Sequence, residues 1–199
     1  MKTDIILSGV GGQGILSVAT IIGQAATCKG LSIKQAEVHG MSQRGGDVQS
    51  NLRLSDGPIS SDLIALGTAD MIISLEPMEA LRYLPYLSKE GWIITSSATF
   101  VNIPNYPDEA KLMDELNSLP HVVALDVDTL AKDNNMPKCK NVILLGASAA
   151  FFRILDKDAL YYSIDRIFGA KGQAIVEMNH RAFMLGYEYA QELKKKKEQ

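Results

Sequence analysis

Three glycines near the start of the chain have the spacing that many proteins use to bind phosphate groups. Gly9, Gly11 and Gly14 fit the pattern G-x-G-x-x-G and directly follow an apolar run at residues 5–7. Apolar residues then recur at helical spacing from Ile15, so a helix is predicted to begin at the loop. Its free N–H groups and positive dipole end would form an anion site. The glycines could instead serve only to let the helix pack closely on the strand, and the sequence leaves both interpretations open.

The glycine loop does not match the P-loop of nucleoside triphosphatases. That motif requires Lys-Ser or Lys-Thr at the start of the helix. Ile15 and Leu16 follow Gly14 here, so the P-loop interpretation is excluded.

A second polar loop, at residues 40–46, contains the run Arg44-Gly45-Gly46. The planar guanidinium of Arg44 could bind a carboxylate or a phosphate through two parallel hydrogen bonds. It could equally pair with a neighbouring acid such as Asp47. His39, just before this loop, could carry a proton or make a structural hydrogen bond.

The sequence contains no complete catalytic set of its own. Ser8, Ser42 and Ser96 are not accompanied by a histidine and an acid in a recognisable order, which argues against a hydrolase triad. Asp126 and Asp128 stand at the end of a predicted strand, where active sites of α/β proteins often lie. Capping of the next helix by Asp128 would explain this pair equally well.

The cysteines and histidines do not form a metal motif. Cys28 and Cys139 are far apart in the sequence, and the three histidines lack metal-ligand spacing. An iron–sulfur cluster or a structural zinc site cannot be built from two cysteines alone.

The composition predicts a globular chain of one domain, residues 1–199. Its 199 residues are 46% hydrophobic and 22% charged, which is enough to bury a sizeable core. The net charge of -3 argues against a nucleic-acid binder. No apolar run reaches the roughly 20 residues that span a bilayer, and the first residues run straight into a strand without room for a signal peptide. We therefore expect a cytoplasmic location and no membrane partner.

The order of elements predicts an α/β fold that begins like a Rossmann fold. Glu37 lies about 20 residues beyond the glycines, where a dinucleotide fold places its ribose-binding acid. No crossover helix follows; residues 47–55 alternate between apolar and polar, as in an antiparallel strand with one wet face. The sheet is therefore predicted to be mixed. Further strands are predicted at residues 32–38, 71–75, 92–95 and 122–127, and helices at 76–87, 108–119, 128–134, 142–155, 157–168 and 172–197.

The stretch at residues 142–152 is apolar over a wider arc than the single stripe of a surface helix. This helix is either central to the fold or covered by another subunit. From the second possibility we predict that the isolated chain forms a homo-oligomer.

Two motifs together resemble a known family. The sequences GVGGQG at residues 9–14 and EVHGMSQRGG at residues 37–46 are similar to the gamma subunits or domains of 2-oxoacid:ferredoxin oxidoreductases. Within this family the chain most resembles the small beta subunits of indolepyruvate ferredoxin oxidoreductases. The resemblance covers nearly the whole chain, including residues 141–147 and 179–186.

The resemblance implies a three-layer α/β/α domain within a larger enzyme. Such enzymes oxidatively decarboxylate a 2-oxo acid to an acyl-coenzyme A, using thiamine diphosphate and iron–sulfur clusters and passing electrons to ferredoxin. These cofactors are expected on partner subunits, and this chain is expected to be non-catalytic alone. Its expected contribution is to coenzyme A binding. The candidate residues are Gly9, Gly11, Gly12, Gln13, Gly14, Arg44, Gly45 and Gly46.

Two other functions remain as alternatives from the residues themselves. A free-standing NAD(P)-dependent dehydrogenase would explain the glycines and Glu37, although residues 40–55 replace its second crossover. A scaffold whose glycine loop serves only packing is the third possibility.

The role of Arg44 can be tested in the assembled enzyme. Since a charge-assisted contact contributes about 1.5–3 kcal/mol, Arg44→Ala should weaken the use of coenzyme A roughly tenfold to a hundredfold. Decarboxylation without coenzyme A should change little. Normal assembly with an unchanged apparent affinity for coenzyme A would make Arg44 structural.

Overall fold

The computed structural model describes residues 1–39 and 45–197. Arg44 and the rest of residues 40–44 lie outside this part of the chain. The strands are β1 Lys2–Val10, β2 Ser32–His39, β3 Asp47–Ser55, β4 Ala69–Ser74, β5 Leu87–Ser96 and β6 Val122–Leu125. The helices are α1 Ile15–Cys28, α2 Pro77–Arg82, α3 Glu109–Ser118, α4 Val127–Asp133, α5 Lys140–Ala149, α6 Lys157–Phe168 and α7 Gln173–Lys197.

The six strands form one mixed sheet in the order β2-β3-β1-β4-β5-β6. The strands β1, β4, β5 and β6 are parallel, whereas β3 runs antiparallel to both of its neighbours. The prediction of an antiparallel strand at residues 47–55 is therefore confirmed. It lies inside the sheet, between β2 and β1.

Helices cover both faces of the sheet, which confirms the three-layer α/β/α architecture. Ile5, Leu7 and Ile73 point to one face and pack with residues of α1 and α4 to α7. Ile6 and Ile72 point to the other face, where α2 and α3 cover them. Because successive side chains of a strand point to opposite faces, the apolar run at residues 5–7 serves both cores.

Two glycines allow α5 and α7 to touch backbone to backbone. A Cβ atom on Gly146 would overlap the carbonyl oxygen of Phe183, and a Cβ atom on Gly186 would overlap that of Ile143. Residues 142–149 are all buried within the chain. The apolar stretch is thus central to the fold, and the reason given for a homo-oligomer is removed, although self-association itself stays a prediction.

Several predicted boundaries were wrong. The helix predicted at 76–87 ends at Arg82, and Leu87 begins β5 instead. The next turn is a 3₁₀ segment containing Pro85, which lacks an N–H group and disfavours helical geometry at the preceding residue. The helix predicted at 142–155 ends at Ala149, and Phe151 packs on Trp92 of β5, with 4.3 Å between ring centroids.

At the end of β6 the capping residue was misassigned. The strand ends at Leu125, and Asp126, not Asp128, caps α4. Its Oδ1 accepts hydrogen bonds from the N–H groups of Asp128 and Thr129. These hydrogen bonds hold the pKa of the Asp126 carboxyl below its usual value.

The face of β3 predicted to be wet is covered by a following segment. Asn51 is 2% exposed, and its Oδ1 accepts a hydrogen bond from the N–H of Ile64 at 3.2 Å. No helix in the described part of the chain is long and apolar enough to cross a membrane.

A buried ion pair ties β1 to β3 and to this covering segment. The Asp4 carboxylate, 1% exposed, accepts hydrogen bonds from Arg53 Nε at 2.8 Å and Nη2 at 3.0 Å. Arg53 Nη1 also donates to the carbonyl oxygens of Ser61 and Leu63. Burial opposes ionisation of Asp4, but the hydrogen bonds from Arg53 and Lys2 outweigh it and lower the pKa of Asp4.

Replacing Arg53 with methionine should therefore destabilise the protein by about 3 kcal/mol, because the Asp4 carboxylate stays buried and, among the described residues, keeps only Lys2 as an ion-pair partner. Since the pKa of Asp4 is lowered on folding, this stabilisation is present above about pH 4 and is lost as the pH falls through the lowered pKa. Urea unfolding of the original protein and of the Arg53→Met variant, from about pH 3 to about pH 7, measures the difference in their unfolding free energies. This difference should decrease at the acid end of the range.

The matched control is Lys34→Met on the neighbouring strand β2, which removes an exposed ion pair with Asp62 of the segment between β3 and β4. Its cost should stay below about 1 kcal/mol. Equal losses in the two variants would contradict the importance of the Asp4–Arg53 pair.

Candidate functional site

A cavity of about 630 Å³ opens at the carboxyl edge of the parallel strands. Gly11, Leu75, Ala98 and Val127, which follow β1, β4, β5 and β6, all contribute to its lining. Ligands of open α/β sheets bind outside this edge, and the volume is typical of ligand pockets.

Gln13 holds the glycine loop to the end of β4. Its Oε1 accepts a hydrogen bond from the N–H of Val10 at 2.7 Å, and its Nε2 donates to the carbonyl oxygen of Leu75 at 3.2 Å. The side chain occupies the space above Gly9, where a Cβ atom would lie 2.9 Å from Oε1. Gln13 lines the cavity, but both ends of its amide are already bonded to the backbone, at Val10 and at Leu75.

The structure brings the two glycine motifs together. The N–H of Gly11 donates to the carbonyl oxygen of Gly46 at 2.8 Å, and the N–H of Gly45 donates to the carbonyl oxygen of Gly11 at 3.4 Å. The N–H of Gly11 is therefore taken within the chain. Gly45 lines the cavity beside Gly12.

The start of α1 leaves backbone donors unused. Gly14 is the N-cap with φ 87°, a left-handed conformation that suits glycine, and no side chain caps the helix. Within residues 1–39 and 45–197, the N–H groups of Gly12, Gly14, Ile15 and Leu16 have no acceptor. Gly12 is exposed and lines the cavity. Unpaired donors at the beginning of a helix are what an anion site requires.

A second helix begins at the same cavity. Asn141, in the first turn of α5, donates from Nδ2 to the carbonyl oxygen of Gly14 at 3.1 Å. Lys138 and Lys140 line the same wall. Lys140 Nζ lies 2.7 Å from Asp128 Oδ2, whereas the exposed Lys138 has no ion pair in the described part of the chain.

The sequence interpretation missed these two lysines. Lys138 lies just before a strongly apolar helix and Lys140 begins it, but both lie more than 100 positions beyond the glycines. Only the folding of α5 against α1 brings them to the cavity, and no local pattern signals such a contact.

The loop between β5 and α3 forms the opposite wall. Asn102 Nδ2 donates to the carbonyl oxygen of Gly45 at 2.7 Å, and the N–H of Phe100 donates to Glu76 Oε1 at 3.4 Å. The Tyr106 hydroxyl also donates to Glu76 Oε1. Burial and the hydrogen bond to Glu76 raise the pKa of the Tyr106 phenol far above its usual value.

Other sequence candidates lie outside this site. Glu37 is exposed on β2 and accepts a hydrogen bond from Gln35, with β3 between it and β1. Ser8 is buried and donates to the carbonyl oxygen of Glu79, and Ser96 bonds Ala98. His39 ends β2, and its side chain is not described.

The residues that the structure describes contain no group of three or more His, Cys, Asp or Glu side chains placed to hold a metal ion. Cys28 is exposed, whereas Cys139 is buried, and burial raises the pKa of the Cys139 thiol. Whether clusters lie on a partner stays a prediction.

Comparison with known proteins identifies the family. The family described as "Pyruvate ferredoxin/flavodoxin oxidoreductase" matches residues 4–189. The chain belongs to this family.

Named relatives in this family agree with the resemblance found in the sequence. The indolepyruvate oxidoreductase subunit IorB of Archaeoglobus fulgidus is 31% identical, with 96% of each chain covered. The protein of that name from Thermococcus kodakarensis is 34% identical, again with 96% of each chain covered.

A solved structure shares the fold as well. The gamma subunit of keto/oxoacid ferredoxin oxidoreductase from Geobacter sulfurreducens is 25% identical, with a TM-score of 0.68. The match covers 96% of this chain and 99% of that chain. The resemblance to the oxidoreductase gamma subunits is thus confirmed.

The framing role of Gln13 can be tested by stability. Gln13→Leu keeps the side-chain size but leaves the N–H of Val10 and the carbonyl oxygen of Leu75 without this partner, so the protein should lose about 1–3 kcal/mol. Urea unfolding measures the loss.

Gln24→Leu is the matched control, because Gln24 lies on α1 and, in the described part of the chain, its amide reaches only Cys28 Sγ, at 3.2 Å. Its effect should stay within about 0.5 kcal/mol. A Gln13 variant as stable as this control would show that the amide does not frame the loop.

Proposed function

We propose that this chain is the small subunit of a 2-oxoacid:ferredoxin oxidoreductase that acts on indolepyruvate or a related arylpyruvate. The complex would oxidatively decarboxylate the 2-oxo acid to an acyl-coenzyme A and pass the electrons to ferredoxin. The substrate assignment is supported by the names of the relatives that are 31% and 34% identical. The subunit would work in the cytoplasm.

The contribution we assign to this chain is binding of coenzyme A. The observation that carries this assignment is the cavity at the carboxyl edge, where the N-termini of α1 and α5 meet the side chains of Lys138 and Lys140. Phosphate groups are bound by unpaired backbone N–H groups, by helix dipoles and by lysine charges. All three are present in one cavity.

The candidate residues divide into two roles. Gly12 and Gly14 would offer backbone N–H groups to the phosphates, together with the first turn of α1. Gly9, Gly11, Gln13, Gly45 and Gly46 would frame the cavity through the contacts that they make with one another and with β4. Arg44 remains a predicted additional contact to phosphate.

Apolar parts of the ligand would have a separate place. Leu75, Ala98 and Phe100 line the cavity across from the lysines, and Phe100 is 46% exposed. An extended pantetheine chain or an adenine ring could cover this apolar surface, which would gain about 25 cal/mol for each Å² removed from water.

The redox chemistry would belong to the partners. Two cysteines do not fit a cluster that needs four thiolates, so no electron-transfer step is assigned to this chain. Thiamine diphosphate would supply the decarboxylation chemistry on the large subunit. This chain would hold the acyl acceptor in position, and none of its residues is assigned a catalytic role.

The decisive experiment measures coenzyme A use by the complex purified with its partner subunit. Lys138→Ala should raise the KM for coenzyme A about threefold to tenfold and leave kcat unchanged, because an exposed lysine contributes charge to phosphate binding but touches no reacting atom. The difference should shrink in high salt, which screens exposed charges.

Lys132→Ala is the control, since Lys132 is an exposed lysine of α4 that does not line the cavity. Calorimetry should detect coenzyme A binding and no binding of NAD or NADP. Dinucleotide binding near micromolar would favour the dehydrogenase, and no binding of any of them would favour the scaffold.

A further inference from the structure

Hydrogen bonds link the walls of the cavity into a continuous chain of contacts. Gln13 connects the glycine loop to Leu75, and Gly11 is connected to Gly45 and Gly46. Asn102 continues from Gly45 into the loop at residues 97–107. That loop returns to Glu76, which directly follows Leu75 in the sequence.

Glu76 completes this series of hydrogen bonds, because it joins the loop to the end of β4. The residue is 0% exposed, and its carboxylate accepts hydrogen bonds from the N–H of Glu79, the N–H of Phe100 and the hydroxyl of Tyr106. The first of these caps α2, and the other two come from the loop. A buried carboxylate is tolerated only when such donors satisfy it.

Among residues 1–39 and 45–197, the loop has few other polar contacts with the strands. Within residues 97–107, Asn102 reaches Gly45, and the N–H groups of Ser97 and Ala98 bond the carbonyl oxygen of Leu125 and Ser96 Oγ. The sequence there is rich in asparagine and proline and forms neither helix nor strand. Its position over the cavity therefore depends strongly on Glu76 and Asn102.

We propose that Glu76 is a positioning residue for the coenzyme A site, holding the loop at residues 97–107 so that Ala98, Thr99 and Phe100 form a wall before the ligand arrives. The inference rests on the function proposed above. Preorganisation of a wall lowers the ordering cost of binding. It changes affinity and leaves the chemical step alone, because Glu76 touches no reacting atom.

The test uses Tyr106→Phe in the complex with its partner subunit. The variant removes one donor to Glu76 while keeping the ring, and it leaves the cap of α2 intact. Hydrogen exchange at residues 97–107 should become faster, and the KM for coenzyme A should rise about tenfold at unchanged kcat.

Tyr187→Phe is the matched control, since it removes a phenol–Gln191 hydrogen bond on α7, away from the cavity. It should change neither measurement. Faster exchange without a change in KM would overturn the proposal, as would unchanged exchange in Tyr106→Phe. If the unmodified complex fails to bind coenzyme A, the proposed function itself is overturned, and this inference falls with it.

Discussion

The close crossing of α5 and α7 is the constraint on which the site depends. Gly146 and Gly186 bring the two backbones into contact, so any side chain at either position would force the helices apart. The crossing fixes the axis of α5, and the first turn of α5 carries Asn141 to the carbonyl oxygen of Gly14. Packing deep in one helical layer thus sets the width of a cavity at the edge of the sheet.

The cavity carries charges of both signs. Lys138 and Lys140 line it, and so does Asp128, which pairs with Lys140. Glu76 and Glu79 are buried carboxylates that do not line it. Glu79, 1% exposed, pairs with Arg82 at 2.7 Å, yet burial outweighs this partner and raises the pKa of Glu79. Because donors within the chain satisfy both Glu76 and Glu79, these carboxylates fix structure without presenting free negative charge to a ligand.

Much of the fold could be predicted where one local pattern decided the structure. The buried run before Gly9 and the alternation in residues 47–55 predicted the positions of β1 and β3 correctly. Burial of a strand on one or two faces produces an alternating or a continuous apolar pattern in the sequence. The end of α2 was missed because the apolar spacing of Leu84 and Leu87 continued through Pro85. There the backbone of proline overrides the periodicity of its neighbours.

The candidate site divides in the same way between local and distant contacts. The glycines could be predicted from their spacing, whereas the amide of Gln13 was taken for a ligand contact and is used within the chain. Lys138, Asn141 and Glu76 could not be assigned, because tertiary packing alone brings the first two to the cavity and bonds Glu76 to the loop that lines it. A sequence motif predicts the conformation of its own backbone. It does not predict which distant residues pack beside it to form the cavity.

The position of β3 distinguishes this fold from a dinucleotide-binding fold with the same glycine motif. In a dinucleotide fold the second strand lies beside the first, so its terminal acid reaches the ribose. Here β3 separates β2 from β1, which moves Glu37 about 10 Å from the first strand at roughly 5 Å for each strand spacing. The turn that follows β1 instead bonds Gly45 and Gly46 through Gly11. One inserted antiparallel strand thus leaves the N-terminus of α1 at the carboxyl edge of the sheet and takes Glu37 out of its reach.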